Sequence, residues 1–474
     1  MKSKKIISGL LALTFVFGGT ALPNTVVNNS VSASAATKNV EVFTYGDYDY
    51  IQLEDGTVEI AKYNGTDEVV EIPGEIDGAA VTSIGAKAFD GNKTITSVTI
   101  PEGVNNIGFR AFYDCDALLE MEIPDGVKTI GGQVFHSCDK LRKVTMTDSV
   151  EILGVGSLGV GVFGFCKSLE SVTLSNKLTQ INDETFEYCE SLKEIKLPSG
   201  IKSIGKKAFL SCTNLESINL PDGLETINSE AFKNCNKITK IEMPDSVTSI
   251  GNSAFYKCTS LADVKLSANL VSIGSSAFQY CNSIESLEIP EGVKTIGGYF
   301  SCLDNLKSLS LPESLTSIGW GSFRSCKNLK ELTVSPNLTN IGTIAFTDNH
   351  PDFVLNCYNA SAAEKHALAN GVNFNVLDAK EKTEYPELNS ARFNSQYHQF
   401  RLNWTAVEGA EEYGIAVNLA GKWKVQAYTD AKTTTFTSPK LKSGSKYDMA
   451  ICAKVNGKWE TTDFTKRAFT IAVK

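Results

Sequence analysis

Histidine is scarce in this chain, and the common catalytic motifs are missing from it. The sequence of 474 residues has four histidines, no two of which stand at the spacing of metal ligands: His136, His350, His366 and His398. The nucleophile elbow G-x-S-x-G, the zinc motif H-E-x-x-H and the Walker phosphate loop do not occur. These absences argue against an enzyme, and we expect neither a cofactor nor a metal site.

An excess of positive charge is also missing. The formal net charge is −9, and an acidic chain repels polyanions, so we expect no nucleic-acid partner. Hydrophobic residues make up 42% of the chain, which is enough for a packed core.

The N-terminus has the pattern of a secretory signal peptide. Several lysines precede the apolar residues 6–17, a run too short to span a bilayer. Ala33-Ser34-Ala35 then fits the A-x-A rule, so we place cleavage after Ala35, with Ala21 as the alternative. Since no later run is long enough to cross a membrane, we expect a secreted mature chain without a membrane span.

A repeat of 23 residues dominates the middle of the chain. An aliphatic residue, usually followed by glycine, recurs at Ile84, Ile107, Ile130, Leu153, Ile181, Ile204, Ile227, Ile250, Ile273, Ile296, Ile318 and Ile341. One step is 28 residues long, with five additional residues between Leu153 and Phe163, and one is 22. A second column is formed by Phe89, Phe112, Phe135, Phe163, Phe186, Phe209, Phe232, Phe255, Phe278, Phe300, Phe323 and Phe346. Such self-similarity is typical of a solenoid.

The spacing within one unit predicts a short strand and a turn. Ile218 and Leu220 point to one side of the chain and Asn219 to the other, which is the period of a strand with one buried face. Pro221 then ends the strand. One unit cannot bury its apolar face alone, so we expect a mainly β fold in which about twelve repeats stack into a solenoid.

The unit I-G-x-x-A-F-x-x-C-x-x-L-x-x-V-x-L-P-x-G-V-x-x resembles the leucine-rich repeats of the BspA-like family of bacterial surface and secreted proteins. The resemblance covers residues of about 70 to 378 and rests on the A-F-x-x-C step, which general leucine-rich repeats lack. It implies a β-rich horseshoe or rod used in adhesion and protein binding, and it implies no enzyme activity.

Ten of the twelve cysteines are assigned to one repeat column: Cys115, Cys138, Cys166, Cys189, Cys212, Cys235, Cys258, Cys281, Cys302 and Cys326. Neighbouring coils would bring them close enough to bridge, but equivalent side chains project in parallel, which suits a disulfide poorly. Asn92 and Asn349 end the column, so no bridging partner is required there. Buried free thiols are therefore favoured, with some bridging or a metal site as the alternatives.

The chain is divided into these segments: signal peptide 1–35, N-terminal cap 36–83, leucine-rich-repeat solenoid 84–349, C-terminal cap 350–378, linker 379–386 and a second domain 387–474. In the C-terminal cap, Ser361-Ala362-Ala363-Glu364 forms a capping box that opens a short helix, and Gly371 closes it. A strand is predicted over 372–377.

The last segment resembles a fibronectin type III domain. Short alternating runs separated by turns predict a β-sandwich, and Asn456-Gly457 predicts a hairpin. Leu402-x-Trp404 matches the tryptophan strand of that family, and Leu441 followed by Tyr447 matches its tyrosine corner. Since a charged linker precedes this domain, deletion of residues 380–474 is expected to leave a folded, soluble solenoid.

Two surfaces are candidate binding sites. The first is the strand face, which we define as the outward side chains of the repeat strands, represented by Glu120, Glu122, Lys143, Glu194, Lys196, Asn219, Lys240, Glu242, Lys265 and Glu288. The second is the aromatic stripe, which we define as Tyr113, Phe165, Tyr188, Tyr256 and Tyr280. The alternative for the strand face is a solvent-exposed surface that binds nothing. The alternative for the aromatic stripe is packing of partly buried rings along the side of the solenoid.

Together these features predict a non-enzymatic, monomeric binding or adhesion protein that is secreted or surface-associated. Its partner would be an extracellular protein or cell-surface ligand bound by the solenoid. The alternatives are an accessory component of extracellular polysaccharide degradation or carbohydrate binding, and a purely structural envelope component.

Overall fold

The computed structural model describes residues 5–7, 40–155, 161–378, 382–461 and 465–473. The chain divides into two compact units, Met1–Pro221 and Asp222–Lys474. Three predicted features lie wholly or mainly outside the described residues: the signal peptide with its cleavage site, the insertion at 156–160 and the first residues of the linker, 379–381.

In the described part of the first unit, the elements are β1 (Lys5–Ile7), β2 (Val40–Tyr45), β3 (Tyr48–Gln52), β4 (Val58–Tyr63), β5 (Val69–Glu71), β6 (Glu75–Ile76), β7 (Ala79–Ile84), β8 (Ser97–Thr99), β9 (Asn106–Ile107), β10 (Glu120–Ile123), β11 (Thr129–Gly131), β12 (Lys143–Met146), β13 (Ile152–Val155), β14 (Ser171–Thr173), β15 (Gln180–Ile181), β16 (Glu194–Lys196), β17 (Ser203–Ile204) and β18 (Ser217–Asn219).

The second unit contains β19 (Thr226–Ile227), β20 (Lys240–Glu242), β21 (Ser249–Ile250), β22 (Asp263–Lys265), β23 (Ser272–Ile273), β24 (Ser286–Glu288), β25 (Thr295–Ile296), β26 (Ser308–Ser310), β27 (Ser317–Ile318), β28 (Glu331–Thr333), β29 (Asn340–Ile341), β30 (Val354–Cys357), α1 (Ala362–Asn370), β31 (Phe374–Val376), β32 (Lys382–Thr383), β33 (Leu388–Asn394), β34 (Gln399–Trp404), β35 (Ala406–Val407), β36 (Ala410–Leu419), β37 (Lys422–Asp430), β38 (Thr435–Thr437), β39 (Lys446–Val455), β40 (Lys458–Trp459) and β41 (Phe469–Ala472).

Each coil of the solenoid contributes two short strands to two rows. In the row that carries the strand face, strands such as β18 alternate exposed, buried and exposed residues, with Ile218 buried. The other row ends each strand on the aliphatic column, whose members pair in register, as Ile107 does with Ile130. The predicted solenoid of 23-residue coils is confirmed, with about 14 turns where the sequence predicts about twelve.

The sheets follow these rows within each unit. In the first unit, one row forms a sheet in the order β1-β2-β3-β4-β7-β9-β11-β13 and then a separate pair, β15–β17. The other row gives β5–β8, β10-β12-β14 and β16–β18. In the second unit, the corresponding sheets are β19-β21-β23-β25-β27-β29, β20–β22 and β24–β26. Most neighbours are parallel, because each strand is followed by a full coil before the next one.

The phenylalanine column forms a stack of nearly parallel rings along most of each unit. In the first unit, the ring centres of Phe135 and Phe163 lie 5.6 Å apart with planes 4° from parallel. In the second, Phe232 and Phe255 are 5.2 Å apart at 10°. These separations are close to the spacing of adjacent strands, so each coil places one ring directly on the ring of the coil before it.

Glycine follows the aliphatic residue in most coils, where it allows the close approach of neighbouring coils. A Cβ atom on Gly131 would lie 2.6 Å from the backbone nitrogen of Phe109, and one on Gly274 would lie 2.5 Å from that of Asn252. Since the obstructing atoms are backbone, a side chain at Gly131 or Gly274 would require the neighbouring coil to shift. Two other coils have asparagine at the equivalent position: Asn182 and Asn228.

The cysteine column also ties each coil to the one before it. The Sγ of Cys138 donates a hydrogen bond to the carbonyl oxygen of Phe112 at 3.1 Å, and that of Cys189 donates to the carbonyl of Phe163 at 3.1 Å. Burial raises the pKa of both thiols well above the ordinary value. All twelve cysteines are free thiols in the structure, so the column acts as a ladder of weak hydrogen-bond donors.

Cys302 does not belong to this column, and its assignment from the sequence is wrong. The alanine that precedes phenylalanine in most units is missing before Phe300, so the buried Leu303 takes the column position. Cys302 instead adopts a left-handed backbone with φ of 57° and is half-buried. The ring of Phe300 lies 64° from the plane of Phe278, which interrupts the parallel stack.

The C-terminal cap contains the predicted helix. The Ser361 hydroxyl accepts a hydrogen bond from the Glu364 N–H at 3.1 Å, and the Glu364 carboxylate accepts one from the Ala360 N–H at 2.6 Å. Burial raises the pKa of Glu364 to about 7. Gly371 ends the helix with φ of 62°. The predicted N-cap and the closing glycine are therefore confirmed. The capping box is only partly formed, because Glu364 accepts from the residue before the N-cap and not from the Ser361 N–H.

The residues after the linker form a β half-barrel. One of its sheets contains β33, β34 and β38, and the other has the order β37-β36-β39-β40, with β41 also pairing with β39. Asn456 and Gly457 form the turn between β39 and β40 with φ of 49° and 73°, as the sequence predicts.

The cap and the half-barrel share a sheet. Their strands run in the order β28-β30-β31-β33-β34-β38, with Phe374 opposite Ala391. Arg392 donates hydrogen bonds to the Phe374 carbonyl at 2.6 Å and to the Asn375 side-chain oxygen at 2.7 Å. In addition, α1 packs against β41. The sequence predicts the first strand of this segment at 400–407, so β33, which makes this connection, was missed.

Reaction of the native protein with a thiol reagent is expected to modify about one cysteine, because Cys302 is half-buried and the other cysteines are buried. Unfolding without reductant should then make all twelve reactive. A Cys302→Ser variant serves as the control and should remove the native reactivity. Fewer than half of the thiols reacting after unfolding would show that the column is bridged.

Phe232→Ala is expected to lower the free energy of unfolding by ~3–5 kcal/mol, because it removes a fully buried ring from the stack. The exposed Asn219 gives the matched control, and Asn219→Ala should change the free energy by no more than ~0.5 kcal/mol. Urea unfolding followed by circular dichroism measures both. Equal effects of the two substitutions would mean that the strand faces are reversed.

A chain that ends at Asp378 is expected to be less soluble and to melt at a lower temperature than the full chain. The truncation uncovers the hydrogen-bonding edge of β31 and removes β41 from α1. This reverses the outcome that the sequence predicts for the deletion of 380–474. The measurements are light scattering and thermal melting, with Arg392→Ala as a full-length variant that weakens only the junction. A truncated chain that stays monomeric with an unchanged melting temperature would contradict the shared sheet.

Candidate functional site

The ten side chains that represent the strand face are all exposed. They lie on the first unit at Glu120, Glu122, Lys143, Glu194, Lys196 and Asn219, and on the second unit at Lys240, Glu242, Lys265 and Glu288. The residue between the outward residues is buried in each of these strands except β22, where Val264 is half-buried. This residue anchors the strand in the core, so the outward side chains are held on a rigid backbone.

Strand register arranges these side chains in rows across the coils. Within the first unit, Glu120 lies opposite Lys143, and Lys196 lies opposite Asn219. Adjacent strands are about 4.8 Å apart, so a row presents one side chain per coil at a regular interval. Such an array can contact an extended segment of a partner at several points.

On β20 and β22 the charges of the strand face pair with one another. The Lys265 ammonium lies 2.8 Å from the Glu242 carboxylate, and Lys240 lies 3.5 Å from Glu242 and 3.6 Å from Asp263. The hydrogen bond from Lys265 is the main cause that lowers the pKa of Glu242. These pairs are exposed and contribute little to stability, but they leave this part of the face nearly neutral.

In the first unit the three members of the aromatic stripe form one row of rings, and His136 is an additional member of this row. Tyr113 stacks on His136 at 5.3 Å, His136 lies 5.2 Å from Phe165, and Phe165 lies 4.6 Å from Tyr188. The Arg110 guanidinium lies 4.3 Å from the centre of the Tyr113 ring. His136 was missed in the sequence although it occupies the same repeat position as Tyr113. Burial lowers its pKa.

In the second unit, Tyr256 and Tyr280 meet edge to face at 5.5 Å, and the Lys257 ammonium lies 5.5 Å from the Tyr256 ring centre. All members of the stripe are half-buried. Because the rings cover one another or carry a cation, their free surface is small. This geometry favours packing along the flank over an open row of rings.

A more exposed aromatic pair lies at the short repeat and was not predicted. Tyr299 and Trp320 are 46% and 45% exposed, and their ring centres are 4.9 Å apart with planes at 58°. The sequence signals that mark the pair are the 22-residue step, which removes an alanine beside Tyr299, and a tryptophan directly after Gly319.

The described part of the chain contains no group of three or more His, Cys, Asp or Glu residues that could hold a metal ion. Within the same residues, none of the helices has the length and apolar character needed to cross a membrane.

Comparison with solved structures identifies related solenoids. A leucine-rich repeat protein from Bacteroides ovatus is 25% identical over 71% of this chain and all of its own, with a TM-score of 0.51. A leucine rich cell surface protein from Faecalibacterium prausnitzii is 28% identical over 65% of this chain and 96% of its own, with a TM-score of 0.40. No curated protein matches the chain.

The family model of the BspA type leucine rich repeat region, which describes six copies of the repeat, matches three segments of this chain, residues 71–159, 154–259 and 225–351. These segments together cover more than half of the chain, and they coincide with the coils that carry the stacked phenylalanine column. The chain therefore belongs to the family of proteins with BspA type leucine rich repeats.

Proposed function

We propose that this protein is a secreted or surface-associated binding protein, without enzyme activity, whose solenoid binds extracellular proteins through the strand face. The observation that carries the proposal is that every representative of this face is exposed and that all of them except Lys265 lie next to a buried strand residue. A rigid array of polar side chains at a regular interval fits recognition of a macromolecule, whereas catalysis needs groups that converge in a pocket. Adhesion is the role that follows if the chain stays at the cell surface.

The half-barrel is proposed to be a fibronectin type III-like module that acts as a spacer or second contact. Its division into β33-β34-β38 and β37-β36-β39-β41 supports this proposal. The buried Trp404 lies 5.6 Å from Tyr413, whose hydroxyl accepts a hydrogen bond from the Val407 N–H at 2.9 Å. Tyr447, the residue predicted at the tyrosine corner, is half-buried.

Carbohydrate binding is the second candidate function, and one observation favours it. Tyr299 and Trp320 expose nearly half of their surface side by side. Exposed aromatic rings of this kind can stack on sugar rings, and tryptophan and tyrosine are also common at protein hot spots. The pair therefore supplies an aromatic surface that the sequence did not indicate, on a different part of the coil from the strand face.

The two functions are separated by a pull-down of secreted and surface proteins with residues 36–474 as bait, run beside a glycan array. A strand-face variant carries serine at four exposed residues: Glu120, Glu194, Lys196 and Glu288. Its matched control carries serine at four exposed turn residues with the same charges: Glu102, Asp125, Lys128 and Glu151. Trp320→Ala tests the aromatic pair.

The captured protein is expected to bind the strand-face variant at least about tenfold more weakly, and to bind the control and Trp320→Ala as tightly as the parent. Surface plasmon resonance measures the Kd values. Equal losses in the strand-face variant and the control would contradict the proposal. Glycan binding that disappears only in Trp320→Ala would establish the second candidate in its place.

A further inference from the structure

A groove of about 380 Å³ crosses the strand face of the second unit between β26 and β28. These strands belong to different sheets, since β26 is an end strand of β24–β26 and β28 begins the sheet that runs through β30 and β31. The groove therefore follows a border between two sheets. Its walls carry the hydroxyls of Ser308, Ser310 and Thr333, the carboxylates of Glu313 and Glu331, and the ring of Tyr358.

The charges of the groove do not balance. Lys307 is the lining cation, and its ammonium already lies 2.9 Å from the carboxylate of Glu285. Glu313 and Glu331 take part in no side-chain ion pair within the described residues. Lys330, the residue before β28, is not among the lining residues.

This pattern differs from the rest of the strand face in the same unit. On β20 and β22, each glutamate and aspartate of the face lies within 4 Å of a lysine, so the charges are satisfied inside the protein. At the groove, two exposed carboxylates are held on neighbouring coils with no such partner. Both carboxylates are exposed to solvent. A cation of a partner protein could therefore bind them without breaking an existing ion pair with a lysine.

The remaining lining groups fit cationic side chains in an extended chain. The hydroxyls of Ser308 and Ser310 are exposed and can donate to or accept from a peptide backbone. The half-buried Tyr358 offers an aromatic wall, which attracts an ammonium or guanidinium group. The volume lies at the lower end of the range for ligand sites and is sufficient for long side chains of an extended segment.

We propose that this groove binds an extended segment of a partner protein that carries two lysine or arginine side chains. Glu331 begins β28, whereas Glu313, in the turn after β26, lies beside Ser335 and Asn337, so each carboxylate pairs with a cation of its own. The serine hydroxyls contact the peptide backbone, and Tyr358 packs against the aliphatic part of one cationic side chain. The proposal rests on the proposed function and deepens it, because it names one place on the strand face and the chemistry of what binds there.

The test is fluorescence anisotropy of residues 36–474 with a labelled nine-residue peptide of alternating lysine and threonine, at low ionic strength. The double variant Glu313→Gln and Glu331→Gln keeps the shape of both side chains and removes their charge. It is expected to raise the Kd at least about fivefold, because charge-assisted hydrogen bonds are lost. Tyr358→Leu should raise it about threefold through loss of the aromatic contact.

The matched control is Glu122→Gln with Glu194→Gln, which makes the same change of net charge on exposed strands of the first unit. It should change the Kd less than about twofold, since these carboxylates lie outside the groove. Equal effects of the two double variants would overturn the proposal, because the attraction would then be that of an acidic protein in general. Absence of peptide binding up to millimolar concentration would overturn it as well.

The outcome is distinguishable from failure of the proposed function. If the protein captured in the pull-down depends on the strand face but the peptide ignores Glu313 and Glu331, the groove assignment alone is wrong. If the captured protein is also indifferent to the four serine substitutions on the strand face, the proposed function is wrong.

Discussion

Stacking of coils at the spacing of adjacent strands is the constraint on which the rest of the solenoid depends. A single coil exposes its phenylalanine and its aliphatic residues, and it buries them only when another coil lies against it. Since neighbouring coils have the same repeat sequence, each inward residue contacts the equivalent residue of the next coil. Phenylalanine rings 5.2 to 5.6 Å apart, such as Phe232 with Phe255 and Phe135 with Phe163, are the result. The glycine and cysteine columns follow from the same contact, one by allowing close approach and the other by donating to the carbonyl of the previous coil.

This constraint also explains where function can vary. Inward positions must repeat because each one packs on its equivalent, whereas outward positions meet solvent and can differ from coil to coil. The outward charges accordingly change from pairs on the strand face, such as Lys240 with Glu242, to the unpaired carboxylates of Glu331 on β28 and of Glu313 in the turn after β26. The outward side chains are therefore the residues that distinguish the binding properties of this protein from those of other solenoids with the same repeat.

Most of the fold could be predicted from the period of the sequence, and the failures have local physical causes. The strand β33 was missed because a register irregularity between Leu388 and Ser390 places Leu388 and Ala391, three residues apart, on the buried face. Buried and exposed residues do not alternate along this strand, so the sequence does not mark it as a strand. The sheet that the half-barrel shares with the cap was therefore missed too. Cys302 was wrongly assigned to the cysteine column because its repeat is one residue shorter, which moves it one position out of the column. A cysteine at either position looks the same in the sequence, so the residue type does not reveal the shift.

The candidate site was only partly accessible to sequence analysis. Alternation along a strand identifies outward residues such as Glu194, because the period of a strand is short and regular. Ion pairs between coils, and the border between two sheets at β26 and β28, depend on how neighbouring strands align in three dimensions. The exposed pair of Tyr299 and Trp320 likewise depends on a side-by-side placement of residues 21 positions apart.

The most direct test of this account is hydrogen exchange of the chain with and without the protein that it captures. Binding through the strand face predicts slower exchange in the three-residue strands of the solenoid, such as β16, β24 and β28, and unchanged exchange in the row that contains β21 and β23. Slower exchange confined to the half-barrel, or to the turns that carry the aromatic stripe, would contradict the central claim that the solenoid binds through its strand face.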